Sequence, residues 1–485
     1  MKKVNKSTDI NNTLTQITQI CDLKEEKIIV AGVSGGADSL CLLHCLQDLG
    51  YKITAVYVDH GLRKASVDDG EHVRAICSSW GIPFVLSQVD VNSFSTANKF
   101  TVEEASRVLR YRELFRIADD LKAQAVAVAH HADDQIETVL MHLLRGSGMS
   151  GLRGMQPVST QHGWHKTIPL IRPLISTWKI DIENYCDKYE IKPILDETNL
   201  DTTFFRNRLR HELIPQLLTY NSAFKQGLLR TTKILQNDYV FLVELLEDEC
   251  NRINMTELLG QVTFQMGAFS QAPLNLQRMI LRRVVSLLRP DLRDVGFDAI
   301  ERAIHFIKAA DTSKQIDIVN NLILFIDSDL VVLGEKGKVY LRADLPLLYE
   351  HKTVNLVPGK SFRINDFWFV SIEHIKDISE AGNFRDNAQA YTAYIDADKC
   401  GLPIKLKTIQ PGDRFPAYGL NGHTQKLSDI MINQKISRWV RPFYPIIWNQ
   451  DGIVWVPGYR IAENMQIEST SKRFLRLSFF QKQTE

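Results

Sequence analysis

Three stretches of this chain carry residue types that could do chemistry on a phosphate. Residues 33–40 read VSGGADSL, between the apolar run KIIVAG and the amphipathic stretch LCLLHCLQDLG. A glycine pair there lets the backbone approach an anion, successive N–H groups form a nest, and the positive end of the following helix points at the same place. Ser34 and Ser39 add hydroxyl donors, but the loop closes with Ala37, Asp38 and Ser39, without the lysine of a Walker loop. The same residues also suit a plain strand-to-helix turn.

The second stretch is HHADDQIET at 130–138, which follows another apolar run, AVAVA. Asp133 and Asp134, with Asp38, are candidate ligands for Mg²⁺, a hard cation that takes one or two carboxylates beside phosphate oxygens. An acidic helix N-terminus, capping free N–H groups, reads the same way. His130 and His131, as neighbours on a strand, would face opposite sides, so at most one should line a site. The third stretch, TVEEASRVLRYREL, puts Glu103, Arg107, Arg110 and Tyr111 on one helix. Glu103 and Arg107 are spaced as an i,i+4 ion pair, which by itself is ordinary surface polarity.

Other motifs point elsewhere. GSGMSG at 146–151 fits G-x-G-x-x-G, yet it follows a helical stretch and has no acidic residue about 20 positions on, so it reads as a flexible loop beside Arg145 and Arg153. Basic residues cluster in FFRNRLRHELIP, with Arg206, Arg208, Arg210 and His211. They cluster again over 405–441, where Lys405, Lys407, Arg414, Lys426, Lys435, Arg438 and Arg441 face only Asp413 and Asp429. Either cluster could hold a polyanion or be solvated charge.

The elements that must position these residues are legible as periodicity. KIIVAGVS, ITAVYVDHG, PFVLSQVDV and AVAVAHH alternate with helical stretches, which predicts a parallel α/β sheet with helices on both faces and ligands at the strands' carboxyl ends. From about Tyr220 to Ala310 the pattern turns helical, and after about Ile316 short β-like runs follow, among them NLILFI, LVVLG, KVYLR, FWFVSI and GIVWVPGYRIAE. The expected domains are 1–220, 221–335 and 336–485.

Bulk properties exclude several classes. The 485 residues suit two to four domains, and a net charge of +1 offers no global signature of nucleic-acid binding. No run approaches the ~18 apolar residues of a membrane span, and MKKVNKSTDINN lacks the apolar core of a signal peptide, so a cytoplasmic protein is expected. The 7 cysteines form no CxxC pair, which argues against a disulfide framework or a zinc site.

SGGADS resembles the SGGxDS loop of the N-type ATP pyrophosphatases, with Ala37 where Val is common. The ordered set VDHGLR (58–63), EEASRVLRY (103–111), HHADDQIETVLMHLLRGSGMSGLRGM (130–155), IRPL (171–174) and DETNLDTTFFRNRLRHELIP (196–215) resembles the tRNA(Ile)-lysidine synthase family within that group. PGDRFPAYGLNGHTQKLSDIMIN and GIVWVPGYRIAE resemble its C-terminal domain.

The resemblance implies a PP-loop, Rossmann-like N-terminal domain, a helical tRNA-binding middle domain and a mixed α+β, β-rich C-terminal domain. It implies ATP, Mg²⁺, free L-lysine and the CAU-anticodon isoleucine tRNA as ligands, with no membrane and a homodimer compatible. In this scheme the cytosine carbonyl oxygen attacks the α-phosphate of ATP, pyrophosphate leaves, and the lysine amine then displaces AMP. Ser34, Gly35, Gly36, Ala37, Asp38 and Ser39 would form the ATP loop, with Asp38 and Arg107 catalytic and Asp38 and Asp133 on the metal. Asp134 and Glu137 would bind lysine, and Arg206, Arg210, Arg414, Lys426, Arg438 and Arg441 the tRNA. Alternatives are another ATP pyrophosphatase acting on tRNA, such as a thiolase, which would need a cysteine pair or an iron–sulfur site; a metal-dependent phosphoesterase; and a non-catalytic tRNA-binding protein.

Overall fold

Residues 29–32, IVAG, are apolar toward both sides, and a strand of that kind needs cover on both faces. The computed structural model describes residues 22–62, 65–160, 163–194, 205–290, 292, 295–338, 340–350, 353–376, 391–417, 419 and 423–481. The chain divides into two units, Met1–Leu245 and Leu246–Glu485.

In the first unit β1 (Ile29–Gly32) lies in parallel between β2 (Ile53–Asp59) and β4 (Ala125–Ala127), with β3 (Phe84–Gln88) outside β2. Short strands β5 (Val158–Ser159) and β6 (Leu170–Ile171) complete the order β3-β2-β1-β4-β6-β5. The helices are α1 (Ala37–Asp48), α2 (Ala65–Ser79), α3 (Val91–Asn98), α4 (Val102–Asp120), α5 (Ala132–Leu144) and α6 (Lys179–Lys188). Alternate strand residues feed two cores: Ile29, Ala31, Ala55 and Ala127 pack with Leu40, Leu43, Val73 and Ile182, whereas Val30, Val56 and Val126 pack with Leu114, Phe115 and Ala118. The expected doubly covered parallel sheet is the one observed, with the short β5 added antiparallel at its β6 edge.

Because β1 and β4 are neighbours, the loops leaving their carboxyl ends lie side by side, and these are the loops that carry SGGADS and HHADD. One expectation changes here. β4 stops at Ala127, so His130 and His131 sit in the following loop and strand alternation does not set their directions. Helix α4 starts at a capping box, in which Thr101 and Glu104 each accept from the other's backbone N–H. Beyond α6 a helical stretch over 205–220 contains a π-helical turn, Leu209–Leu213, and α7 (Phe224–Arg252) follows.

The second unit corrects the middle of the chain. Strands β7 (Thr256–Leu258) and β8 (Gln261–Gln265) were not expected; they join β9 (Gln315–Asp317), β10 (Leu322–Asp327) and β11 (Leu330–Glu335) in the order β7-β8-β11-β10-β9. QVTFQ is a strand because β11 pairs with it, a partner remote in sequence. Helices α8 (Leu274–Leu288) and α9 (Phe297–Ala309) share that sheet's core.

The remaining strands are β12 (Val354–Leu356), β13 (Lys360–Arg363), β14 (Trp368–Ile375), β15 (Thr392–Asp396), β16 (Ile404–Thr408), β17 (Arg414–Phe415), β18 (Gln425–Lys426), β19 (Pro445–Trp448), β20 (Ile453–Trp455) and β21 (Phe474–Gln481). They form sheets β12-β16-β19-β20 and β13-β14-β21-β15 over one core and the ribbon β17-β18, with α10 (Leu427–Asn433) after the ribbon. KVYLR is not a strand over 340–342; Tyr340 instead plugs the core, its ring 5.2 Å from that of Phe325. Among the described residues no helix is long and apolar enough to cross a membrane, and Cys41, Cys45, Cys77, Cys186, Cys250 and Cys400 are free and buried.

The turn after β1 depends on one glycine more than the other. Gly35 has φ +84, and a Cβ there would fall 2.5 Å from Ile194 Cδ1 and 3.0 Å from Val73 Cγ2. Its carbonyl also accepts from the Ile194 N–H at 2.9 Å. Gly36 has φ −73, with only Ser34 Oγ near the position of an added Cβ, at 3.7 Å. Gly35→Ala should therefore lower the urea midpoint by the equivalent of about 1–2 kcal/mol, while Gly36→Ala should stay within about 0.5 kcal/mol of the parent. Equal losses in the two variants would contradict this assignment.

Candidate active site beside the glycine loop

The loop holds its own shape through Ser39. Ser34 N–H donates to Ser39 Oγ at 3.2 Å, and Ser39 Oγ donates to the Gly36 carbonyl at 2.9 Å. Ser39 is buried and braces the turn, whereas Ser34 is exposed. Gly36 caps α1 with no side chain over the helix end. The helix N-terminus is thereby left open to an anion.

Opposite it, α5 begins with an unusual cap. His131 is the N-cap: its Nδ1 accepts from Asp134 N–H at 3.4 Å, and Asp134 Oδ2 accepts from His131 N–H at 3.0 Å. The other ring nitrogen, Nε2, lies 3.4 Å from Asp134 Oδ2 and 3.8 Å from Asp38 Oδ2. Asp133 Oδ2 is 3.9 Å from Nδ1. His131 is thus the point where the carboxylates of the two loops meet.

Cations from later segments close on the same carboxylates. Lys179 Nζ donates to Asp38 Oδ1 at 2.7 Å while its backbone N–H donates to Asp133 Oδ2 at 3.0 Å, and Lys225 Nζ donates to Asp133 Oδ1 at 2.6 Å. Glu137 is only 1% exposed; Arg206 Nε and Arg210 Nε each reach one of its oxygens at 2.6 Å. Arg206 Nη2 also reaches Asp134 Oδ1 at 3.1 Å. The π-helical turn begins just before Arg210, Arg206 stands on the α-helical turn before it, and both guanidinium groups reach Glu137.

Burial disfavours the charged form of Asp133, but the Lys225 hydrogen bond, the Lys179 N–H and the nearby positive charges outweigh it and hold the carboxyl below its usual 3.8. Asp134 is held low in the same way, against its burial, by its contacts with His131, by the Arg206 guanidinium and by the His131 N–H. Both therefore carry charge at neutral pH.

The other wall is cationic. Arg107 and Arg110 lie over the Tyr111 ring, at 5.0 and 5.6 Å. Burial, with repulsion from Arg107, holds the guanidinium groups of Arg110 and Arg172 below their usual range. Burial pushes His130 well below 6.5, Arg172, Arg107 and Arg110 adding to this against Asp134, and its buried Nδ1 has no hydrogen-bond partner among the described residues. His130 is a neutral imidazole beside three arginines. An anion fits this wall, and a cation fits the carboxylate wall.

The structure thus gathers Asp38, Asp133, Asp134, Glu137, Arg206 and Arg210, with His130 and Arg107 on the adjoining wall. The spaced pair Glu103–Arg107 is not formed; Arg107 is on Tyr111. GSGMSG forms the one-turn helix Met149–Leu152, and the chain beyond it is pinned by the buried Gln135, which exchanges two hydrogen bonds with Met155 at 2.8 and 2.7 Å. Arg145 caps the C-terminus of α5, and Arg153 lies 4.0 Å over the Tyr239 ring.

Arg414, Lys426, Arg438 and Arg441 belong to the second unit, where Arg414 and Lys426 face each other across the β17–β18 ribbon. Arg63, DETNLDTTF over 196–204, Tyr418 and 420–422 lie outside the described residues. Lys179 and Lys225 were missed. Their signal was faint: each stands in the first turn of its helix, where the dipole disfavours a cation unless a carboxylate holds it.

Among the described residues no group of three or more His, Cys, Asp or Glu side chains stands ready as a metal cage. Asp38 and Asp133, both drawn to Lys179 and His131, form a two-carboxylate set that fits Mg²⁺ completed by phosphate oxygens.

Comparison with known proteins adds the following. Residues 7–217 match the family model described as a PP-loop domain, and residues 404–478 match one described as the TilS substrate C-terminal domain. A tRNA(Ile)-lysidine synthase of Clostridium acetobutylicum is 32% identical over 96% of this chain and 98% of its own length, and one of Dehalococcoides mccartyi is 31% identical over 94% and 97%. Among solved structures, the U34-tRNA thiolase NcsA of Methanococcus maripaludis is 18% identical with a TM-score of 0.40, over 47% of this chain and 80% of its own.

Two outcomes follow from the charge pairing. Removing one arginine, as in Arg206→Ala, should cost about 1.5–3 kcal/mol, and removing both should cost about 3–5 kcal/mol, because the second loss strands a buried carboxylate; denaturant midpoints of the three proteins check this. Asp133 is depressed when folded, so its contribution is present above 3.8 and is lost as pH falls through its lower folded value. Lys225→Met should raise that folded value and move the onset of acid unfolding to higher pH, as read by thermal melts in a pH series. An onset identical to the parent's would remove Lys225 from the account.

Proposed function

The chain belongs to the tRNA(Ile)-lysidine synthase family, and on that premise we propose that it joins free L-lysine to the wobble cytidine of the CAU-anticodon isoleucine tRNA in the cytoplasm, converting ATP to AMP and pyrophosphate. The observation that carries the reading is the meeting at His131 of the loop carboxylate Asp38 with the α5 carboxylates, next to the open end of α1. It sets a phosphate cradle beside a site for a cationic amine.

In the first half-reaction the loop N–H groups and Ser34 hold the ATP phosphates, and the cytosine carbonyl oxygen attacks the α-phosphate as pyrophosphate leaves. Arg107, on the cationic wall with Arg110 and Arg172, offsets the charge that grows on the phosphate; a planar guanidinium suits that task. Asp38 and Asp133 would hold Mg²⁺, which supplies charge neutralisation between the phosphates. For these carboxylates to take the metal, Lys179 and Lys225 must exchange their present contacts.

In the second half-reaction the lysine amine attacks the activated ring carbon and AMP leaves. Asp134 and Glu137 recognise lysine through its ammonium group. Both Glu137 oxygens already hold guanidinium groups, so lysine enters by displacing part of that pairing, and the cost of the exchange is met by a new ion pair of the same kind. Arg206 and Arg210 become available to the tRNA backbone only through that exchange, whereas Arg414, Lys426, Arg438 and Arg441 meet no carboxylate among the described residues. The target base must leave the anticodon stack to reach such a site.

The decisive measurement is incubation with ATP, labelled lysine and separate tRNA species. Label should enter the CAU-anticodon isoleucine tRNA alone, and Asp38→Ala should abolish tRNA-dependent ATP–pyrophosphate exchange. Glu137→Gln, which keeps the shape of the side chain, should raise the lysine KM by about tenfold, a loss of one charge-assisted contact. Label in no tRNA, or in every tRNA, would exclude this function.

A further inference from the structure

A Walker loop brings its own lysine to the phosphates, and the loop at 34–39 contains none. A lysine from elsewhere stands at its end. Lys179 opens α6, and its Nζ donates to Oδ1 of Asp38, the second residue of α1, at 2.7 Å. The backbone of α6 is fixed on both sides of that contact: Lys179 N–H donates to Asp133 Oδ2 at 3.0 Å, and Cys186 Sγ, further along the helix, donates to the Ala37 carbonyl at 3.6 Å. Ile182 and Tyr185 pack in the core that holds Leu40 and Leu43 of α1. The Lys179 side chain is the part left free to move.

Stability does not explain why a cation sits there. The side chains of Lys179 and Asp38 are 37% and 32% exposed, and an ion pair that open to water contributes little. The α6 dipole also works against a cation in the first turn. An ammonium group has three donors; among the described residues Asp38 accepts from one, and the other two have no acceptor. Asp38 has a second neighbour, His131 Nε2 at 3.8 Å from Oδ2, so it is not stranded when Nζ leaves. The α1 N-terminus that is open to an anion begins at Gly36, beside Asp38 in the same turn. An anion seated there comes within reach of Nζ.

We propose that Lys179 supplies the lysine missing from the loop: on ATP binding its ammonium turns from Asp38 to the β- and γ-phosphates. The proposal rests on the ATP-dependent reading above and adds a catalytic residue to it. As the bond from the cytosine oxygen to the α-phosphorus forms, the bond from that phosphorus to the bridging oxygen breaks, and its electron pair leaves on pyrophosphate. Charge grows on the leaving group, where a compact ammonium with free donors offsets it, and no proton changes hands. Arg107 serves the α-phosphate and Lys179 the leaving end.

The test titrates AMP, ATP and inorganic pyrophosphate into the full chain in magnesium chloride by calorimetry. It compares the parent with Lys179→Met, Lys179→Arg and, as control, Lys188→Met at the exposed other end of α6. Lys179→Met should weaken ATP and pyrophosphate by about tenfold or more, the loss of one charge-assisted contact, and leave AMP unchanged. AMP binding also reports that each variant is folded. Lys179→Arg, which keeps the cation, should retain most of the pyrophosphate affinity, and Lys188→Met all of it.

A role limited to bracing Asp38 weakens AMP and pyrophosphate together, and that result overturns the proposal. So does pyrophosphate affinity that survives in Lys179→Met, or that falls as far in Lys179→Arg or Lys188→Met. In single turnovers at saturating ATP, Lys179→Met should release pyrophosphate about a hundredfold more slowly; a rate equal to the parent's removes Lys179 from the chemical step. Lysine transfer by the parent is scored separately. A parent that binds pyrophosphate and transfers no lysine defeats the proposed activity, while the comparison of AMP with pyrophosphate still decides Lys179.

Discussion

Glu137 carries a charge in a place where almost none of its surface meets water, and such a group is stable only when cations come to it. Arg206 and Arg210 come from a helical segment far along the chain, and the carboxylates one turn earlier on α5 recruit Lys225 and Lys179 in the same way. Lys179 in turn holds Asp38 at the end of the glycine loop. Compensating these carboxylates therefore ties α1, α5, α6, the 205–220 segment and α7 into one arrangement. The ion pairs are partly exposed on their cationic side, which keeps them exchangeable.

Two helix N-termini stand side by side at the carboxyl edge of the sheet, and they are treated differently. That of α5 is satisfied internally, by His131 and by Asp133 and Asp134. That of α1 has a bare Gly36 cap and no carboxylate of its own beyond Asp38. The protein fills one positive end with its own charge and leaves the other without a side-chain cap. The neutral His130 and the arginines on and near α4 form an anion-seeking wall that adjoins the cation-seeking carboxylates.

The second unit builds its basic surface by other means. β16 alternates buried and partly exposed residues, so Lys405 and Lys407 point away from the core and Lys407 rests over Trp448. The β17–β18 ribbon and the turn after α10 add Arg414, Lys426 and the 435–441 cations. Strand alternation and short turns spread these charges along a surface, whereas in the first unit helix ends concentrate charge at a point.

Much of the first unit was legible from local pattern. Apolar runs predicted β1 to β4, amphipathic stretches predicted α1, α2, α4 and α5, and the residues of the glycine loop and of HHADD stand at strand ends as their spacing required. Periodicity reports which face of an element is buried, a property of near neighbours. It does not report which cation meets which carboxylate. The partners of Asp133 and Glu137 lie on segments whose approach depends on helix packing and on one π-helical turn, so Arg206 and Arg210 read as free basic residues and Lys179 and Lys225 did not stand out. β8 was missed for a related reason, since a short run becomes a strand only when β11 is there to pair with it. The sequence by itself determined the phosphate loop and the acidic helix start. Only the tertiary structure decided how their charges are balanced, because that balance is set by contacts between residues distant in the chain.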